Sequence, residues 1–196
     1  MRLIPLDTER GQRLLEEAVA VDYAPLQQHY QRQELLTFCG IASGVITLNA
    51  LHGRPAHSQD SFLTRAAASI REEQVKESGM TLAQLGALLA SHGARVSVHH
   101  AEDESLQRFR EVAAQNVSRD GDFLIVNYLR EAIGQRSGGH FSPLAAFHPG
   151  SDRFLILDVA DFKYSPVWVE AEVLFGAMAT VDACSGQSRG FVAVTL

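Results

Sequence analysis

Apolar residues recur at helical spacing over residues 8–21 (TERGQRLLEEAVAV). Leu14, Leu15, Ala18 and Val19 share one face there, and Thr8 is placed to cap the start. Residues 39–51 (CGIASGVITLNAL) are apolar almost all round, which predicts a buried helix. Residues 52–79 are polar and irregular and predict loop with a short helix or two. An amphipathic helix over 81–92 is stopped by Gly93, and residues 95–99 alternate as a strand does. The helical period returns over 103–117, through Leu106, Phe109, Val112 and Ala113. Beyond Gly121 the period changes. Residues 123–128 (FLIVNY) form the short apolar run of a buried strand. Residues 140–147 and 153–159 flank His148-Pro149-Gly150-Ser151-Asp152, a strong turn signal, and predict a hairpin. A brief strand over 167–169, a helix over 171–179 and a last strand over 191–195 complete the pattern. Helices followed by antiparallel strands predict an α+β fold in one domain, with a helical lobe over about 1–120 and a sheet lobe over about 121–196.

Composition narrows the function. The chain has 196 residues, 46% hydrophobic and 20% charged, which suffices for a buried core and excludes wholesale disorder. Its 17 Lys and Arg against 23 Asp and Glu leave a net charge of −6, unsuited to gripping nucleic-acid phosphates. No run approaches the roughly 18–20 apolar residues that span a bilayer. The opening MRLIPLD lacks the apolar stretch of about 7–15 residues of a signal peptide, so a cytoplasmic protein without membrane or nucleic-acid partners is expected. Two cysteines, Cys39 and Cys184, cannot build a disulfide framework and raise instead the question of thiol reactivity.

Cys39 opens the buried helix. A helix N-terminus carries partial positive charge and unpaired N–H groups, which stabilise a thiolate and can receive an oxyanion. A cysteine packed as a small hydrophobe is the plainer alternative, and position alone does not overturn it. His140 follows Gly138-Gly139, where a backbone or ligand can come close. A hairpin centred on Pro149–Ser151 brings His140 within a residue or two of Asp158. A carboxylate beside an imidazole fixes its tautomer and supports its charged form, so Cys39, His140 and Asp158 make a nucleophile, a base and an orienter. Gln33, six residues before Cys39, offers an amide as second oxyanion donor. Arg130 and Arg189 each flank an apolar strand and suit a clamp on a substrate carboxylate, and Asp182 suits an ammonium group. Cys184 has neither helix start nor base beside it in sequence. His52, His57 and His99-His100 lack metal-ligand spacing, so no structural metal is expected.

At these residues the chain resembles the phytochelatin synthase family in its short bacterial form. The resemblance rests on Phe38-Cys39-Gly40-Ile41-Ala42-Ser43, Leu48-Asn49-Ala50-Leu51, Gly79-Met80-Thr81-Leu82 and Ile125-Val126-Asn127-Tyr128-Leu129-Arg130. It continues through Gly138-Gly139-His140-Phe141-Ser142-Pro143, Asp152-Arg153-Phe154-Leu155-Ile156-Leu157-Asp158, Pro166-Val167-Trp168-Val169, Thr180-Val181-Asp182 and Arg189-Gly190-Phe191-Val192. It implies a papain-like cysteine peptidase fold and glutathione as substrate. By matching position, Cys39 is the nucleophile, His140 the base and acid, Asp158 its orienter and Gln33 the oxyanion donor. Arg130, Gly139, Asp182 and Arg189 fall near the γ-glutamyl pocket. The implied reaction cleaves the Cys–Gly bond through a γ-glutamylcysteinyl thioester, passed to water or to a second glutathione. The resemblance also implies a homodimer and no required cofactor, and leaves open stimulation by cadmium or zinc or a metal–glutathione substrate. The chain ends at Leu196 without the Cys-rich extension of eukaryotic relatives, which weighs against metal sensing and efficient polymer synthesis, and the abbreviated segment 51–79 bears on the acceptor side of the cleft. Other readings are a papain-like amidase for another small γ-glutamyl substrate, and a non-catalytic thiol- or metal-binding module.

Overall fold

The computed structural model describes residues 3–63, 70–136 and 138–196. Its centre is an antiparallel sheet: β1 (Ile4–Pro5), β2 (Arg95–His100), β3 (Asp122–Leu129), β4 (Gly139–His148), β5 (Arg153–Ile156), β6 (Val167–Glu170) and β7 (Gly190–Thr195), in the order β1-β6-β5-β4-β3-β7-β2. Side chains alternate between its faces. Phe123 and Ile125 of β3 join a core with the helices α3 (Cys39–His52) and α6 (Leu82–Ser91). Leu124, Val126 and Tyr128 join a second core with α7 (Leu106–Asn116) and α8 (Ala171–Met178). Both faces are therefore covered by helix, which is why residues 123–126 of β3 read as a continuous apolar run instead of an alternating one.

The α+β reading is matched by this mixture of helices and antiparallel strands. The expected division near residue 120 is not. β1 and β2 come from the first part of the chain and form the two edges of the sheet, while α8 comes from the second part and covers its far face. A strand-period segment of five or six residues says nothing about which distant strand it will join. β2 registers on β7 from Arg95 opposite Thr195 to His100 opposite Gly190.

Local rules explain most helix limits. Thr81 and Gln84 form a reciprocal capping box at the start of α6, and Ser105 caps α7. The first helix, α1 (Glu9–Glu16), is capped by Thr8 but is shorter than the periodicity predicts. Its continuation is pulled into a two-way backbone pairing between Val19 and Phe147, each amide donating to the other's carbonyl at 2.9 Å. A short helix follows, α2 (Tyr23–Gln28), with Pro25 in its first turn, where a missing N–H costs nothing. The irregular 52–79 segment holds α4 (Gln59–Leu63) and α5 (Glu72–Ser78), and its residues 64–69 lie outside the described residues.

α3 is the pivot. Every residue from Cys39 to Ala50 is buried, and Gly53 ends it in the left-handed conformation. It packs against β3 and β4, α2, α4 and α6. Gly190 marks the tightest strand contact. A Cβ there would sit 1.9 Å from the His99 carbonyl oxygen of β2. Gly190→Ala is expected to part β7 from β2 and cost roughly 2–4 kcal/mol, read as a lowered urea midpoint.

Candidate active site

Cys39 is the first residue of α3, so its sulfur sits where the helix N–H groups lack intrahelical partners. The hairpin of β4 and β5 supplies the base. Leu144 faces Ile156, an extra residue is accommodated at Ala145, and the Leu157 amide still donates to the Pro143 carbonyl. Past that point Asp158 leaves the sheet and turns its carboxylate onto His140, with Nε2 2.9 Å from Oδ1. Nδ1 is thereby left for the Cys39 sulfur, to which the imidazole is hydrogen-bonded. The juxtaposition expected from the turn position is present.

Asp158 is wholly buried and fully engaged. The Arg130 guanidinium donates to it twice, at 2.7 and 2.8 Å, and the Ala160 amide donates at 2.9 Å. Burial alone would raise its pKa. His140 and Arg130 outweigh that and hold the carboxyl well below the usual range. Burial pushes the His140 imidazole down, but the Cys39 thiolate and Asp158 beside it raise it overall. Burial pushes the Cys39 thiol up, and the imidazolium, with the Phe141 and Gly40 backbone amides, brings it below an ordinary thiol. The outcome is a thiolate–imidazolium pair that titrates as a unit.

Arg130 is thus not placed as a substrate clamp. Its guanidinium lies in the turn after β3, 3% exposed, bound to Asp158 and Gln135 and stacked 5.0 Å from the Tyr164 ring centroid. A charge at a strand end was legible in sequence; its inward turn onto Asp158 was not. Gln33 is also turned away from the role expected of it. Its Nε2 donates to the Leu35 and Leu36 carbonyls at 2.8 and 3.0 Å, and its Oε1 is buried without a partner. Its backbone amide donates to Val159, which fastens the approach to Cys39 against the segment after Asp158.

A cleft of about 300 Å³ opens at Cys39, lined also by Thr37, Met80, Asn127, Gly139, Phe141, Asp182, Cys184 and Arg189. Arg189 enters it from the residue just ahead of β7. Its Nη1 donates to the Thr180 hydroxyl and the Val181 carbonyl, Nη2 lies 3.9 Å from Asp182, and the buried Nε has no partner. The guanidinium fills the space beside Gly139, where a Cβ would come within 2.9 Å of Nη2. Asp182 accepts from the Cys184 amide at 3.1 Å. Cys184, set apart in sequence, shares the cleft with Cys39. Asn127 was missed: it is 3% exposed and its Oδ1 is unpaired. A lone amide in an otherwise apolar strand was the available signal. Among the described residues no group of three or more His, Cys, Asp and Glu side chains is arranged to hold a metal, and no helix is long and apolar enough to cross a membrane.

A family model described as phytochelatin synthase matches residues 1–191. The chain is 34% identical, over 96% of its length, to glutathione gamma-glutamylcysteinyltransferase 1 of Lotus japonicus, and 35% identical, over 94%, to the protein of that name in Triticum aestivum. It is 29% identical, over 92% of its length, to the glutathione gamma-glutamylcysteinyltransferase of Schizosaccharomyces pombe. The chain spans 39%, 39% and 45% of these relatives, respectively.

Two outcomes follow from the geometry. Alkylation of Cys39 by iodoacetamide is expected to rise through an inflection below the ordinary thiol value of about 8.5, and His140→Ala to move that inflection upward. Arg130→Met leaves a buried carboxylate half-paired and is expected to cost about 3–5 kcal/mol near neutrality by urea unfolding. Because Asp158 is depressed in the folded state, its contribution is present above the usual carboxylate pKa and disappears as pH falls through the folded value. The penalty of Arg130→Met should therefore shrink in acid.

Proposed function

The chain belongs to the phytochelatin synthase family, and from that footing we propose that it is a cysteine-dependent enzyme that cleaves glutathione at its Cys–Gly bond. The observation that carries the proposal is the buried series Cys39, His140, Asp158 and Arg130 opening on a cleft. Such a series is a nucleophile, a proton carrier and two positioning groups, the arrangement of papain-like peptidases.

The Cys39 thiolate attacks the carbonyl carbon of the Cys–Gly peptide. The oxyanion meets the N–H groups at the start of α3. Gln33 can join them only by exchanging its two carbonyl partners for the substrate oxygen. His140, charged at the outset, donates its Nδ1 proton to the glycine nitrogen, the C–N bond breaks, and glycine leaves. A γ-glutamylcysteinyl thioester remains on Cys39. Neutral His140 then takes a proton from water, or from the amine of a second glutathione, as that group attacks the thioester. γ-Glutamylcysteine or a lengthened peptide is released and the thiolate is restored. Asp158 keeps the imidazole aimed throughout, and Arg130 keeps Asp158 aimed.

Substrate selection fits the far side of the cleft. Arg189 lines the cleft beside Gly139 with its buried Nε unpaired, and a γ-glutamyl carboxylate settling there would find a guanidinium donor. Asp182 would take the α-ammonium. Two free thiols and a glutathione substrate suit the reducing cytoplasm.

Incubation with glutathione is expected to release glycine and to add the mass of a γ-glutamylcysteinyl group to Cys39 in a rapidly quenched sample. Cys39→Ala should abolish both while the circular dichroism spectrum is retained; turnover in that variant would remove the nucleophile assignment. Arg189→Ala is expected to raise KM about 10-fold or more with a smaller effect on kcat, since an ionic hydrogen bond to substrate is worth about 1.5–3 kcal/mol. Product length separates hydrolysis from transfer.

A further inference from the structure

The cleft at Cys39 offers fewer charges than glutathione brings. Near neutrality glutathione carries an ammonium and a carboxylate on its γ-glutamyl end and a second carboxylate on its glycine. Among the described lining residues Arg189 is the one cation and Asp182 the one anion. That pair matches the γ-glutamyl end and leaves no counter-charge for the glycine carboxylate. His140 does not supply one, because it lies outside the lining and is held by Asp158 at 2.9 Å.

A second part of the lining is uncharged. It comprises Leu36 and Thr37 ahead of α3, with Ser78, Gly79 and Met80 at the end of α5. These residues form one wall. A Cβ on Gly79 would lie 3.5 Å from the Thr37 carbonyl oxygen, and one on Gly40 would come within 2.8 Å of Met80 Sδ. Three donors of this wall are already spent. Thr37 Oγ1 donates to the Lys76 carbonyl at 3.1 Å, Ser78 Oγ to the Gln74 carbonyl at 2.9 Å, and the Gly79 amide to the Val75 carbonyl at 2.9 Å. The neighbouring cation, Lys76, pairs with Glu72 at 2.5 Å and lines a separate cavity with Glu34, Asp60 and Glu72. α5 as a whole sets Glu72, Glu73 and Glu77 against that single lysine. Leu36, 73% exposed, and Met80 give the wall an apolar surface.

With the γ-glutamyl end held at Arg189 and Asp182, this wall falls to the leaving group. We propose that it takes uncharged amines, so that γ-glutamylcysteine amides lacking the glycine carboxylate are cleaved as well as glutathione, a step that rests on the reading of Cys39, Arg189 and Asp182 above. Setting a carboxylate against a surface without free donors costs desolvation, and the acidic face of α5 repels it. An uncharged amine meets neither cost. The chemistry is unaltered. The Cys39 thiolate adds to the carbonyl carbon of the amide, the His140 proton passes to the departing nitrogen as the C–N bond breaks, and the free amine leaves. Water then cleaves the thioester, so that amide and water yield γ-glutamylcysteine and amine. Selection resides in the acyl half of the substrate.

The test compares glutathione with γ-glutamylcysteine glycinamide and γ-glutamylcysteine ethylamide, following γ-glutamylcysteine formation by mass spectrometry near neutrality. Glycinamide is a less basic amine than glycine and ethylamine a more basic one, so the two bracket leaving-group ability and isolate the missing charge. Both amides are expected to show kcat/KM of at least about one third of the glutathione value, whereas losing a charge-assisted hydrogen bond to the carboxylate would cost about 10-fold or more. A value below about one third for either amide, with glutathione still cleaved, would overturn the proposal and leave Cys39 as the nucleophile. If glutathione and both amides go uncleaved and no mass is added at Cys39, the underlying reading fails and the leaving-group proposal fails with it.

Discussion

A carboxylate sealed from water sets the terms for the whole molecule. Asp158 keeps its charge inside only because partners from separate segments reach it: Arg130 from the turn after β3, His140 from β4, and the Ala160 amide from its own loop. The Tyr30 hydroxyl adds a bond to the Asp158 carbonyl at 2.7 Å. Buried ion pairs seldom repay their desolvation against a well-packed apolar alternative. Their presence here is better understood through geometry than through stability, because the same contacts that keep Asp158 ionised also aim the imidazole at the sulfur.

Charge alternates along the series. Arg130 is positive, Asp158 negative, His140 positive and Cys39 negative, so the buried row carries no net charge while each member is surrounded by its opposite. Burial opposes the ionised form of every one of these groups, and in each the neighbours prevail. A single acid–base pair in that environment would collapse to its neutral form. Four in a row need not, since each inner member has two counter-charges.

The outline of this arrangement was legible before the structure, because it depended on local signals. An all-round apolar run marked α3, a Pro-Gly turn fixed the β4–β5 hairpin, and both together placed Cys39, His140 and Asp158. What escaped depended on long-range partners. β1 is two residues long and carries no period, and α1 ends early because Val19 is claimed by Phe147, over a hundred positions away. Arg130 and Gln33 were recognised as polar groups worth noticing, but where a guanidinium or amide turns is decided by the loop that closes over it. Gln33 meets carbonyls two and three residues ahead of it, and Arg130 meets a carboxylate from another hairpin. Asn127 was visible as the lone amide in its strand and was passed over because the neighbouring residues spoke so clearly of core.

The site is divided among a helix near residue 40, a strand near 140 and a loop near 158, with the guanidinium of Arg189 arriving last, just ahead of β7. A chain emerging from the ribosome thus exposes a sulfur of unremarkable acidity until the segments bearing His140 and Asp158 have been made. Nucleophilicity is consequently a property of the assembled fold and not of the residue, and an incompletely folded copy is spared indiscriminate thiol chemistry by the same packing that ionises the sulfur in the finished one.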